Sequence, residues 1–192
     1  YYDLLNIFKL NGLPSVEKPY LFNGDFVDRG SFSVECVTAL LAFKVAAPTC
    51  IYLNRGNHES AELNKLYGFE GEVKAKYDPT TFALFNKVFQ MLPLGTKISN
   101  KVLVVHGGLF EREGVKIADI QKVQRRGAIP QSGLMCDILW ADPTSVNGRH
   151  PNKRGVSIEF GPDVAERFLN DNGLGKLSRA AGALASGEGR GL

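Results

Sequence analysis

Three short apolar runs in this chain each end in a polar, glycine-containing turn, and that repeated arrangement constrains the fold more than any other feature. Tyr20-Leu21-Phe22 runs into Asn23-Gly24-Asp25, and Thr49 to Leu53 runs into Asn54-Arg55-Gly56. Val102 to Val105, the clearest strand pattern, runs into His106-Gly107-Gly108. Segments of helical period lie between them. Tyr1, Leu4, Leu5 and Phe8 share one helical face that stops at Asn11-Gly12. Ser33 to Phe43 turns Val34, Val37, Leu40 and Leu41 inward, and Pro48 breaks the pattern. Asp78-Pro79 predicts another helix start, because proline suits the first turn. The stripe Phe82, Phe85, Phe89 that follows reads as core. Ile117 to Gln124 and Pro162 to Asn170 are further helix candidates. Helices alternating with strands predict an α/β domain with a mainly buried sheet. Ligands in such sheets sit beyond the carboxyl ends of the strands, so three turns placed there can converge on one site.

The 192 residues suit one domain. Lys plus Arg number 23 against 20 Asp plus Glu, and a net charge of +3 is too mild to argue for nucleic acid or a membrane surface. The three cysteines, Cys36, Cys50 and Cys136, are widely spaced and odd in number with no CxxC, which argues against a disulfide framework and a thiolate zinc site. No apolar run approaches the roughly 18 residues of a membrane span. The start, Tyr1-Tyr2-Asp3, has no signal-peptide pattern and no initiator Met, so the chain is expected to be cut at its N-terminus. A soluble protein of a reducing compartment, cytoplasmic or nuclear, is the expectation. Gly173 to Leu192 holds six of the 21 glycines and a single acid, Glu188, beside Lys176, Arg179 and Arg190. From residue 175 onward the chain is expected to be a disordered tail.

The turns carry the chemistry. Gly24-Asp25-Phe26-Val27-Asp28-Arg29-Gly30 places two acids and a cation in one tight segment. Clustered carboxylates repel unless a cation offsets them, so a metal is one answer; a helix cap at Asp28 with a surface pair at Arg29 is the other. Arg55-Gly56-Asn57-His58-Glu59 offers a carbonyl oxygen and an imidazole, the side chain best suited to proton transfer near neutral pH, although an Asn-His turn with no chemistry is equally common. His106 stands at a strand end with two glycines that permit close approach. His150 has no surroundings that point to ligation and takes no role. Asp, Asn and His without thiolate form an oxygen and nitrogen set suited to manganese, iron or zinc. Two such ions about 3.5–4 Å apart clamp a phosphoryl group, and a nearby Arg holds its oxygens by a bidentate fork. Metal-assisted phosphoester hydrolysis is the chemistry implied.

Gly24 to Gly30, Leu53-Asn54-Arg55-Gly56-Asn57-His58-Glu59 and His106-Gly107-Gly108-Leu109 resemble three signature segments of the phosphoprotein phosphatase family of serine/threonine phosphatases. Tyr1 to Phe8, Tyr67 to Tyr77 and Lys153-Arg154-Gly155-Val156-Ser157 are similar to its type 5 branch, and the resemblance runs over residues 1–174. It implies a calcineurin-like metallophosphoesterase β-sandwich flanked by helices. It implies two divalent ions (manganese, or iron and zinc), with Asp25 bridging them and Asn57 and His106 ligating the second. His58 becomes the general acid that protonates the leaving seryl or threonyl oxygen, Asp28 orients it, and Arg29 binds the phosphate. The implied partner is a phosphoprotein, with regulatory or chaperone partners engaged through a region upstream of residue 1.

Two family segments are not present. Gly-Asp-x-His-Gly would precede Tyr1, and where Arg-Ser-His-Glu belongs the chain has Gly175-Lys176-Leu177-Ser178-Arg179-Ala180. Arg179 therefore takes no phosphate-binding role in this reading, and the domain is expected to be incomplete at both ends. Metal affinity follows ligand number, so the dinuclear site is expected to be weak or absent. Two functional readings follow: hydrolysis of phosphoserine and phosphothreonine in proteins, or a catalytically silent phosphatase-like binding module around Arg29. A nucleotide-directed metallophosphoesterase is disfavoured by the modest charge and the long type 5-like stretches.

Overall fold

The computed structural model describes residues 1–180. Helix α1 (Tyr2–Asn11) opens it and buries Leu4 and Phe8. Leu5 stays exposed, so the buried stripe is narrower than the face read from the sequence. Gly12, at φ 84, ends the helix. Strand β1 (Tyr20–Asn23), helix α2 (Ser33–Ala46) and strand β2 (Ile51–Asn54) come next. The strands pair in parallel, with Tyr20 opposite Ile51 and Asn23 opposite Asn54. A parallel pair needs a crossover of a dozen or more residues, which α2 supplies. Its Val34, Val37 and Leu40 are buried, as their spacing predicts.

Helices α3 (Ala61–Tyr67) and α4 (Phe69–Lys76) are absent from the sequence reading. Each spans about two turns, too short for the helical period to show. Gly68, at φ 112, separates them. Helix α5 (Pro79–Met91) starts where Asp78-Pro79 predicts, with the Asp78 carboxylate accepting from the Thr81 amide at 2.7 Å. Phe82 and Phe89 are core residues, packed with Phe69, Val34, Val37 and Val73, and Phe85 lies against them.

Strands β3 (Gly95–Ile98) and β4 (Val102–Val105) form an antiparallel hairpin whose turn carries positive φ at Ser99 and Asn100. Helix α6 (Ile117–Gln121) is shorter than the stretch to Gln124 that its pattern offered. Helix α7 (Leu134–Trp140), strands β5 (Asp142–Pro143), β6 (Arg149–Pro151) and β7 (Ile158–Phe160), and helix α8 (Pro162–Asn172) follow. Strand β7 pairs with β5 in parallel and with β6 antiparallel. Strand β8 (Lys176–Arg179) pairs in parallel with β4, placing Val105 opposite Arg179. This corrects the expected tail: residues 176–179 are a strand, because β4 offers an open edge that no local pattern reveals. The rest of that expectation, residues 181–192, lies outside the described residues.

The result is a mixed α/β fold, but the described residues form three small sheets in place of one continuous ladder. Two asparagines at strand ends join the β1–β2 sheet to the sheet that contains β3 and β4. Asn23 Nδ2 donates to Val105 O at 2.7 Å, and Asn54 Nδ2 donates to Asn23 Oδ1 at 2.9 Å and to Val104 O at 3.3 Å. Asn54 Oδ1 accepts from Thr96 Oγ1 at 2.7 Å. A fully buried amide is tolerable only when satisfied in this way. These bonds set the carboxyl ends of β1, β2 and β4 side by side. The largest core, with Val105, Leu109, Ile138, Leu139 and Phe160, packs behind β4. No helix among the described residues is long and apolar enough to cross a membrane.

Candidate metal and phosphate site

The turn from β1 to α2 is left-handed at several points, with φ of 58, 76 and 62 at Asp25, Asp28 and Arg29. Each such non-glycine residue costs about 1–3 kcal/mol and persists only where its surroundings hold it. Here they do. Glu59 accepts from the backbone amides of Asp25 at 2.8 Å and Phe26 at 2.7 Å, and from Gly56 at 2.7 Å. The Asp28 amide donates to Ser33 Oγ at 3.1 Å, and the Arg29 amide to Tyr67 O at 3.0 Å. Burial, followed by the Asp25 charge, pushes the Glu59 carboxyl up to about 7, with the three amides working the other way. The turns touch closely. A Cβ on Gly24 would lie 2.5 Å from Gly56 Cα and 2.7 Å from His106 Nδ1.

His58 and Asp28 form a pair. His58 Nδ1 lies 2.8 Å from Asp28 Oδ2, and the Asp28 side chain is fully buried. That carboxylate also accepts from Asn64 Nδ2 at 3.0 Å and from the Phe69 amide at 3.0 Å. A carboxylate in this position only accepts, so Nδ1 carries a hydrogen and Nε2 is the nitrogen left for the cavity. Asn64 donates to His58 O at 2.7 Å as well, which fixes the residue from its main chain.

Asp25 and His106 meet on a neighbouring wall, and Asn57 lines the same cavity. His106 Nε2 lies 3.3 Å from Asp25 Oδ2, while its Nδ1 lies 2.7 Å from Asn23 O. The Asn23 carbonyl accepts from Nδ1–H, so Nε2, which faces Asp25, is the nitrogen that could serve a metal once it gives up its proton. Burial disfavours the imidazolium, but hydrogen bonding and charge attraction from Asp25 outweigh it and raise the His106 pKa. For Asp25, burial is likewise outweighed by His106 and His58, and its pKa is lowered. Asn57 Oδ1 is buried with no hydrogen-bond partner among the described residues. A buried orphan acceptor beside a carboxylate and an imidazole fits a divalent cation. Among the described residues no group of three or more His, Cys, Asp and Glu is arranged to hold a metal. The donor set is thus one carboxylate, one amide oxygen and one imidazole, enough for part of one coordination shell.

Asp25, Asp28, Arg29, Asn57, His58 and His106 all line one cavity of about 420 Å³. Every candidate residue named from the sequence is therefore gathered at one place. Trp140, Asp142, Arg154 and Arg179 also line it, and sequence reasoning assigned none of them a role. Asp142 accepts from Arg154 Nε at 2.6 Å and Arg179 Nη2 at 2.9 Å, and Arg179 Nε donates to Gly107 O at 2.7 Å. Burial lowers the Arg179 pKa and Asp142 offsets part of that. The parallel register of β8 on β4 brings Arg179 to the rim, a long-range pairing with no local signature. Glu59 stood in the quoted motif without a role, and its task as an acceptor of three amides was not readable. His150 bonds Asn147 O at 2.9 Å and does not line the cavity.

Residues 1–178 match the family described as calcineurin-like phosphoesterase. The chain belongs to that family. It is 59% identical over 180 residues to serine/threonine-protein phosphatase 5 of Arabidopsis thaliana, covering 94% of this chain and 34% of that protein. It is 55% identical over 187 residues to serine/threonine-protein phosphatase 5 of Homo sapiens, covering 97% and 38%. A solved protein serine/threonine phosphatase from Saccharomyces cerevisiae, described as similar to human phosphatase PP5, superposes with a TM-score of 0.90 at 45% identity. That match covers 93% of this chain and 56% of the yeast chain. The chain spans little more than a third of the length of these two curated relatives. The calcineurin-like metallophosphoesterase fold that the resemblance implied is shared with this neighbour, and the relatives are serine/threonine phosphatases of a metal-dependent family.

Proposed function

We propose that this domain hydrolyses phosphoserine and phosphothreonine esters in proteins with divalent metal. The observation that carries the reading is the cavity itself: the buried orphan Asn57 Oδ1, Asp25 and His106 on one wall, the His58–Asp28 pair on the next, and arginines around the mouth. Asp25, Asn57 and His106 would hold the cation, manganese, iron or zinc, with Asp25 shared by a second ion if two bind. When bound, the metal supplies Lewis-acid charge at the phosphoryl oxygens and lowers the pKa of the attacking water.

The remaining work falls to the chain. Arg29 and Arg179 bind phosphate oxygens and neutralise charge as it builds on them. Arg179 is already oriented by Gly107 O and Asp142, so little ordering is left to do on binding. His58 delivers the Nε2 proton to the departing seryl or threonyl oxygen, and Asp28 stabilises the imidazolium before transfer through the Nδ1 bond. Asn64 and the Phe69 amide hold the Asp28 carboxylate aimed at His58.

Turnover of 4-nitrophenyl phosphate and of a phosphoserine peptide by this 192-residue chain with manganese tests the reading. Activity that disappears in His58→Ala supports it. The donor set, a single carboxylate with Asn57 and His106, favours a second reading in which the domain is a silent phosphate-binding module. Phosphopeptide binding that depends on Arg29 with no turnover at saturating manganese would establish that alternative and exclude hydrolysis by this chain.

A further inference from the structure

The segment that closes α3 grips the first turn through one aromatic residue. The Tyr67 carbonyl accepts the Arg29 amide at 3.0 Å, and the Tyr67 ring lies under the Arg29 guanidinium, 5.0 Å from centroid to Cζ. The same ring stands 5.1 Å from the His58 imidazole, tilted by 56°. Its hydroxyl makes no hydrogen bond among the described residues, and the residue is 38% exposed, so neither the hydroxyl nor deep burial accounts for its placement. Arg29 itself forms no salt bridge among the described residues and sits on an exposed, left-handed turn. A long side chain there would sample many rotamers, and the aromatic face is what selects one.

We propose that Tyr67 is a positioning residue, whose ring holds the Arg29 guanidinium over the cavity and limits the swing of the His58 ring. The inference rests on the reading of the cavity as a phosphate site and names a further group on which that site depends. The ring's π face is the acting part, because it meets Arg29 as a cation and His58 as a ring neighbour. Phenylalanine therefore substitutes for it, and an aliphatic residue of similar bulk does not.

The test measures inorganic phosphate binding by calorimetry to the wild-type chain, Tyr67→Phe and Tyr67→Leu, each checked by its thermal midpoint. Tyr67→Phe is expected to bind within about 2-fold of wild type, and Tyr67→Leu about 2- to 5-fold more weakly, the size of an exposed cation–π contact. The His58 ring signals in NMR spectra are expected to move in Tyr67→Leu and to stay in Tyr67→Phe, since the neighbouring ring current is lost only in the first. In an Arg29→Ala background, Tyr67→Leu is expected to change phosphate affinity no further. Should Tyr67→Leu fail to fold, Tyr67→Met takes its place. Equal phosphate affinity in the wild type and the ring-less variant overturns the proposal while leaving the cavity reading intact. So does a Phe variant as weak as Leu, or an undiminished effect without Arg29. A wild-type chain that binds no phosphate removes the reading of the cavity and this role together.

Discussion

The Glu59 carboxylate lies 2.8 Å from the backbone amide of Asp25, 34 residues earlier in the chain, and is fully buried. Through this contact, and through the amides of Phe26 and Gly56, one side chain ties the first turn to the second. Both carboxylate oxygens accept, so an amide at this position sets its NH2 against a backbone N–H. Glu59→Gln is therefore expected to cost about 1–3 kcal/mol of folding stability, the penalty of a buried unsatisfied donor. Urea denaturation of the two chains measures it. A loss below a few tenths of a kcal/mol would show that the turns hold together without Glu59.

Asn57 supplies the next prediction. Its buried Oδ1 has no partner among the described residues, so a cation that it coordinates stabilises the folded state by mass action. At a concentration of 100 times its dissociation constant, manganese would add about 2.7 kcal/mol. The thermal midpoint is expected to rise with manganese and to fall back on chelation. Asn57→Leu, which removes the orphan oxygen, is expected to melt at or above the wild-type midpoint without metal and to respond less to manganese. A variant that responds as fully as wild type would place the ion elsewhere.

Much of this site was legible because its residues lie in three continuous segments at strand ends. A strand that ends in Gly and Asp, Asn or His declares both its direction and its chemistry. The α5 start was legible for a similar reason: Asp78-Pro79 is a local signal and Asp78 makes a local bond. What escaped depends on partners far along the chain. Strand β8 exists because β4 offers an edge, and its four residues carry no period of their own. Helices α3 and α4 are too short to show a stripe, yet they bring Asn64, Tyr67 and Phe69 to the Asp28–Arg29 turn. Joining of the sheets by Asn23 and Asn54 was invisible for the opposite reason, since asparagine at a strand end reads first as a turn residue.

Arg179 shows the consequence. Its Nε and Nη2 reach two different acceptors, Gly107 O and Asp142 Oδ1, in a planar fork that lysine lacks. Arg179→Ala is expected to weaken inorganic phosphate binding about 10-fold, in line with a charged hydrogen bond at a partly screened site. Arg179→Lys is expected to recover little of that. Calorimetric titration separates the outcomes, and full recovery by lysine would reduce the role of Arg179 to that of a point charge.

Acid sensitivity follows from Asp78. Hydrogen bonds donated to its carboxylate, by the Thr81 backbone amide first and the Thr81 side chain second, lower its pKa from the ordinary carboxylate value. A carboxyl with a depressed folded pKa contributes stability that is present above the unfolded pKa of about 3.9 and is lost as pH falls through the lower, folded value. Asp78→Ala removes both the cap and this linkage. The variant is therefore expected to melt below wild type at pH 7, with the gap narrowing once the pH drops beneath the folded pKa and Asp78 is protonated in both states. Thermal melts of the two chains across the acid range measure the gap. A difference that stays constant down to pH 2 would assign the effect of Asp78 to helix propensity and remove its charge from the account.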